Sequence, residues 1–172
     1  MAARAMWKGV VVFGKEKVPV KLYSALQDRN VHFRLLDAKD DAPVKQVMVN
    51  PETEEFVAKE QIKRGVISAE GDVVMLDESE LTALEPESSR EIKVLHYVPV
   101  GAIDRRFYRR PYYLGPDGSE SQYAALAEAL NETEREGLAQ WVMRNKSYVG
   151  ALRVYQGYLL LVALRTADEV VS

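Results

Sequence analysis

The chain has 172 residues, no cysteine and two histidines, with 47% apolar and 28% charged side chains. That composition belongs to a folded globular protein with a sizeable core. It excludes disulfides and cysteine-ligated zinc or iron–sulfur centres, and leaves too few histidines for a metal cage without carboxylates.

A net charge of −3 argues at first against a nucleic-acid binder, which is ordinarily basic. The distribution matters more than the sum. Residues 1–49 carry nine basic and five acidic side chains, residues 50–89 three and eleven, residues 90–113 six and two, and residues 114–172 five and eight. Two basic segments flank a strongly acidic one, so a folded chain can still present a basic face. The start, Met1 to Lys8, has no apolar stretch of the secretory kind, and the longest apolar run near the end, Tyr158 to Leu164, is too short to span a membrane. These features predict a cytoplasmic protein that does not enter membranes.

Residues 7–13 read as a β-branched strand, 14–17 as a tight turn and 18–24 as a second strand, with Pro19 near its start or on an edge. Residues 32–36 and 44–49 read as a third and fourth strand. Residues 63–66 and 73–76 are strand-like around Gly71-Asp72. Asp77 with Glu80 forms a capping-box pattern for a short helix over 78–84, stopped before Pro86. Residues 91–98 alternate as a strand. The clearest helix covers 119–133, where Tyr123, Leu126, Ala127 and Leu130 share a face, with Gly137 as its breaker. Strands follow at 138–144, 148–155 and 158–165, the last two joined at Gln156-Gly157. About eight short strands with one good helix predict a mainly β domain, an antiparallel barrel or sandwich with helical attachments, and a single domain over 1–172.

No phosphate loop, dinucleotide fingerprint or hydrolase motif occurs, and no nucleophile–base pair is visible, so neither a catalytic residue nor a cofactor is expected. His32 and His96 read as ordinary histidines, and Glu52, Glu54 and Glu55 as a solvated acidic face. One segment stands above background: Asp104-Arg105-Arg106-Phe107-Tyr108-Arg109-Arg110-Pro111-Tyr112-Tyr113. Arginines grip phosphates with a fixed fork, and aromatics pack on sugars and bases. The alternative is a surface loop whose aromatics plug into the core, and the residues alone leave both open.

Several blocks, taken in order, resemble the bacterial and archaeal Ku proteins. They are Arg4-Ala5-Met6-Trp7-Lys8-Gly9 with Phe13-Gly14, Val18 to Ala25, Pro86-Glu87-Ser88-Ser89 with Ile92, Arg110 to Asp117, Arg144-Asn145-Lys146, Ala151-Leu152-Arg153 and Leu164-Arg165. The resemblance implies a β-barrel core with a looped-out arm within residues 40–90, paired as a homodimeric ring around double-stranded DNA ends. It implies sequence-independent, salt-sensitive binding in non-homologous end joining, near the nucleoid, beside an ATP-dependent DNA ligase. DNA-contact candidates are Lys8, Lys21, Arg34, Lys45, Lys63, Arg64, Arg105, Arg106, Arg109, Arg110, Arg144 and Lys146. Many relatives carry a cysteine pair near residues 48–56; Met48 to Thr53 stands here instead, so no metal is expected. The family's C-terminal helical segment is not matched beyond Asp168 to Ser172. The alternative is a Ku-like barrel that acts as a protein-interaction module without encircling DNA.

Overall fold

The computed structural model describes residues 4–171; Met1, Ala2, Ala3 and Ser172 lie outside the described residues. The chain divides into two compact units, Met1–Asp28 with Pro86–Ser172, and Arg29–Glu85. Each is considered by itself.

The first unit is a closed barrel of seven strands in the order β1-β2-β6-β9-β8-β7-β5. They are β1 (Trp7–Phe13), β2 (Glu16–Ser24), β5 (Glu91–Pro99), β6 (Tyr108–Pro116), β7 (Arg135–Met143), β8 (Lys146–Tyr155) and β9 (Tyr158–Leu164). All neighbours run antiparallel except β1 and β5, which close the barrel in parallel. Period-2 alternation sorts each strand into an inner and an outer face. On β2, Val18, Val20 and Leu22 are buried inside while Lys17, Pro19 and Lys21 face out. Leu114, Leu152, Leu159 and Leu161 continue the core, each at most 1% exposed.

Two tryptophan rings lie across neighbouring glycines within this core. A Cβ on Gly150 would stand 2.6 Å from the Trp141 ring, and one on Gly9 would stand 2.1 Å from the Trp7 ring. Neither position admits a side chain. Trp141 also stacks on Tyr148, with ring centres 5.3 Å apart.

The helix α2 (Glu120–Glu132) packs Tyr123, Leu126, Ala127 and Leu130 against one end of the barrel. Its anchor is polar: the Tyr123 hydroxyl donates to the Leu114 carbonyl at 2.6 Å and accepts from the Leu159 amide at 2.9 Å. Leu114 and Leu159 are paired at the edge of the β6–β9 ladder, so one phenol satisfies two backbone groups where the ladder stops.

Four local expectations need correction. Gly137 does not break α2; the helix ends at Glu132, and Gly137 sits inside β7 with no room for a Cβ beside Val94. Pro19 is in the interior of β2, paired with Val10. It is tolerated because its nitrogen faces β6 beyond the last pair, Val20 with Pro116, where its carbonyl accepts only the Asp117 amide. Arg144 is not a strand residue but the first of a two-residue turn. Residues 32–36 and 44–49 form no strands, only single bridges, Leu36 with Pro43 and Val49 with Phe56.

The second unit holds the hairpin β3 (Arg64–Ile67) and β4 (Val73–Leu76) and the helix α1 (Glu78–Ala83). The capping box is formed, with the Asp77 amide donating to Glu80 at 3.0 Å. No described residue between Arg29 and Glu85 is buried. Phe33 is 86% exposed and Ile67 73%.

Candidate nucleic-acid interface

The barrel register decides which basic residues share an end. Arg110 pairs with Ala163, Ala163 with Gly150, and β8 runs back from Gly150 to Lys146 at the β7–β8 turn. The start of β6 and this turn therefore lie at the same end, which carries Arg105, Arg106, Arg109, Arg110, Arg144 and Lys146, all exposed. The opposite end is capped by α2, which contains Glu120, Glu128 and Glu132 and no lysine or arginine. The barrel thus has a basic rim at one end and, at the other, an acidic helix with Arg135 and Arg153 beside it.

The arginine segment is built from a 3-10 turn and a bulge. Arg105–Phe107 form the turn, and Asp104 opens it by accepting from the Arg106 amide at 2.9 Å. The same carboxylate accepts from the Arg106 guanidinium at 2.9 and 3.1 Å, which holds Asp104 below the usual carboxylate range. In β6, Tyr108 pairs with Leu164 and Arg110 with the very next residue, Ala163. Arg109 is the extra residue, and the slip turns Arg110 to the opposite face from Tyr108. Bulges of this kind re-aim side chains at barrel rims. Arg110 reaches toward Ser24 (3.5 Å) and lies over the Tyr112 ring (5.6 Å), while Arg109 faces Glu169 at 3.6 Å. The Arg105 carbonyl accepts from the Tyr108 amide, while its guanidinium makes no hydrogen bond or ion pair among the described residues.

Tyr108 anchors the start of the strand. Its hydroxyl donates to Glu136 at 3.4 Å, and Arg153 stacks on its ring at 5.8 Å. Glu136 is fully buried and faces Arg153 at 3.7 Å. Desolvation first, then the Glu136 charge, pushes the Tyr108 phenol up.

At the β7–β8 turn, Arg144 and Asn145 both have positive φ, 52° and 61°. This is the backbone of a type I′ hairpin, which favours Asn-Gly. An arginine there is strained, as is Gln156 (φ 50°) at the matching place of the β8–β9 turn.

Lys8 and Lys21 stand elsewhere. They are cross-strand partners on the outer face of β1 and β2, and Asp117 bridges them at 3.5 and 3.0 Å. The hydrogen bond from Lys21 comes first among the effects that hold Asp117 below the ordinary carboxylate range, and Lys8 adds to it. Much of their charge is therefore already answered. Sequence reading missed Asp117 as their partner. Its signal was modest: Asp117 follows Gly115, which sits opposite Lys21.

Arg34, Lys45, Lys63 and Arg64 all belong to the second unit and are exposed there. Arg64 opens β3 opposite Leu76. Among the described residues no group of three or more acidic, histidine or cysteine side chains is placed to hold a metal. No helix among them is long and apolar enough to cross a membrane.

Residues 12–172 match the family model of the Ku70/Ku80 beta-barrel domain. The chain belongs to the Ku family. It is 40% identical over 172 residues to the non-homologous end joining protein Ku 2 of Geotalea uraniireducens (strain Rf4), covering all of this chain and 67% of that one. It is 38% identical over 170 residues to the non-homologous end joining protein Ku of Coxiella burnetii (strain RSA 331 / Henzerling II), covering 98% and 62%. It is 32% identical over 169 residues to that of Bacillus subtilis (strain 168), covering 97% and 54%. The chain therefore spans roughly three fifths of the length of these Ku proteins. The closed seven-strand barrel agrees with the expected Ku-type fold.

Proposed function

We propose that the chain binds ends of double-stranded DNA, without regard to sequence, as the homodimeric ring of a non-homologous end-joining system. In this reading it is not an enzyme. It works in the cytoplasm at the nucleoid, holding or protecting ends for an ATP-dependent DNA ligase. The observation that carries the DNA reading is the concentration of exposed basic side chains at one end of the barrel. Six exposed basic side chains stand at one end, and the helix at the other has acids alone. Phosphates carry no base identity, so contacts of this type position a duplex without reading it.

A second observation supports pairing of two chains. The Arg29–Glu85 unit exposes Phe33, Met48, Phe56, Ile67 and Val73, and buries nothing. A two-stranded hairpin such as β3–β4 is marginal in water by itself. An apolar surface of this extent calls for a partner, and a second copy supplies one that answers both arms at once. A closed ring also retains DNA topologically, which suits a chain with a net charge of −3.

The test compares linear duplex, covalently closed circular duplex and hairpin-capped duplex in a gel shift at two salt concentrations, with the oligomeric state measured alongside. Threading predicts a dimer that binds linear DNA, ignores closed circles and weakens as salt rises. Equal binding to linear and circular DNA identifies an open basic surface. No binding at low salt sinks the DNA reading and leaves a protein-interaction barrel.

A further inference from the structure

Arg165, just beyond the end of β9, is absent from the candidate contacts, yet it makes three hydrogen bonds to the arginine segment. Its guanidinium donates to the Arg106 carbonyl at 3.0 Å and also to the Tyr108 carbonyl. Its own amide donates to the Phe107 carbonyl at 2.7 Å. Three successive carbonyls, of residues 106, 107 and 108, are thus held by one residue nearly 60 positions away in the chain. They span the 3-10 turn and the residue before the bulge at Arg109.

Arg165 is held in turn. The segment after it, Ala167–Glu169, is a 3-10 turn closed by a capping box. Glu169 accepts from the Thr166 amide at 2.9 Å and from its hydroxyl at 3.2 Å, and its other oxygen faces Arg109. The arginine segment is therefore clasped from its carbonyl side, while Asp104 fixes the opposite end of the turn. Spending an arginine on carbonyls makes chemical sense here. A turn followed by a bulge leaves backbone acceptors without ladder partners, and the two hydrogens on Nη1 of a planar guanidinium serve two of them together. A lysine ammonium on a flexible stem lacks that fixed geometry.

We infer that Arg165 is a positioning residue for DNA binding: it fixes the backbone of residues 106–108 so that Arg105, Arg109 and Arg110 meet phosphates as a preorganised set. The inference rests on the DNA-binding reading above and deepens it. Preorganisation lowers the ordering cost that each flexible arginine would otherwise add to binding. The clasp also turns three separate side chains into one unit, so loosening it removes several contacts together.

The experiment uses the whole chain and the variants Arg165→Lys and Arg165→Gln. Affinity for a linear duplex is measured across a salt series, with thermal melts and hydrogen exchange of residues 105–110 alongside. Each phosphate contact contributes about 0.9 to the slope of log affinity against log salt. Arg165→Lys keeps the charge, so a clasp predicts roughly tenfold weaker binding and a slope smaller by about two contacts, with faster exchange at residues 105–110. Wild-type affinity and slope in Arg165→Lys would overturn the inference. So would a Lys variant that binds normally beside a Gln variant lacking one contact, since that marks Arg165 as a phosphate ligand itself. A lowered melting temperature with unchanged affinity and slope well below it marks a packing residue and also overturns it. If the wild-type chain binds no DNA while exchange still quickens in Arg165→Lys, the DNA reading fails although the backbone clasp is real.

Discussion

Ile92 in the barrel is fully buried and Ile67 in the inserted unit is 73% exposed, although both are isoleucines in β-strands. The difference lies in what surrounds each strand. Ile92 stands opposite Val11 in a sheet with no open edge, over a core of leucines and a helix. Ile67 sits in a hairpin of two four-residue strands, in a unit where no described residue is buried. A closed barrel satisfies its backbone and its apolar faces within one chain. The inserted unit pairs its backbone only in one short hairpin and in turns and leaves its apolar residues exposed, so they add little to its own stability.

The most forceful way to break this comparison is to remove a buried apolar side chain from the barrel and an exposed one from the inserted unit. Leu114→Ala in the barrel should cost about 2–5 kcal/mol by loss of transfer energy and a residual cavity. Phe33→Ala should leave barrel unfolding within about 0.5 kcal/mol, while weakening self-association. Urea titration by tryptophan fluorescence reads the first cleanly, because Trp7 and Trp141 are both in the barrel. Sedimentation reads the second. Equal losses of stability would erase the distinction between the units.

Next in size is the double charge reversal Arg109→Glu with Arg110→Glu. It should lower DNA affinity by roughly a hundredfold at moderate salt and flatten the salt dependence by about two contacts. The barrel should stay folded by circular dichroism, since both side chains are exposed. Unchanged affinity would move the interface off the rim.

Arg144→Gly sharpens the contrast within the barrel itself. The turn needs positive φ at this position, which glycine adopts without strain. Stability should rise by about 0.5–1 kcal/mol, and DNA affinity should fall by roughly one contact's worth. A variant that gains stability and binds as well as before would mean that the strained arginine serves no DNA contact.

Asp117→Asn has a smaller expected effect of opposite sign. It frees Lys8 and Lys21 together, so low-salt DNA binding should tighten by roughly two- to fivefold if that outer face lies near phosphates. Affinity that is unchanged at every salt concentration would take Lys8 and Lys21 out of the site.

The least effect should come from pH. Asp104, Asp117 and Glu169 are held below their ordinary values by Arg106, by Lys21 and by Thr166 respectively. For carboxylates depressed in this way, the stabilising contribution is complete above the unfolded value of about 4. It disappears only as pH falls through the lower folded values. Melting temperature and DNA affinity should therefore be flat from pH 8 to about 5. A step near pH 6.5 would point to a histidine, which the rim candidates do not include.

The barrel strands were legible because their β-branched and alternating residues are also the ones that pair. Residues 32–36 and 44–49 have the same local look and form no ladder. A strand is a pairing, and local composition cannot say whether a partner is present. Arg105 to Arg110 stand out in the sequence as a candidate phosphate-binding segment because arginines and aromatics stand side by side. The bulge at Arg109, the Asp117 bridge and the Arg165 clasp do not. Each joins residues distant in sequence, and an arginine that binds carbonyls looks like any other arginine until its backbone partners are placed. Arg144 reads as a strand end because an arginine carries none of the glycine or asparagine signal of a tight turn.

The closure of the barrel sets a timetable for folding during synthesis. The β1–β2 hairpin is made first, yet its two flanking partners, β5 and β6, come only after the whole inserted unit. At about 5–20 residues per second, the ribosome needs roughly three to thirteen seconds to go from Ser24 to Glu91. Through that interval Val11, Val18, Val20 and Leu22 have no core to enter and both outer edges of the hairpin are unpaired. The nascent chain is then most open to capture by other strands, so yield should depend on translation speed and chaperone supply more than on the stability of the finished barrel.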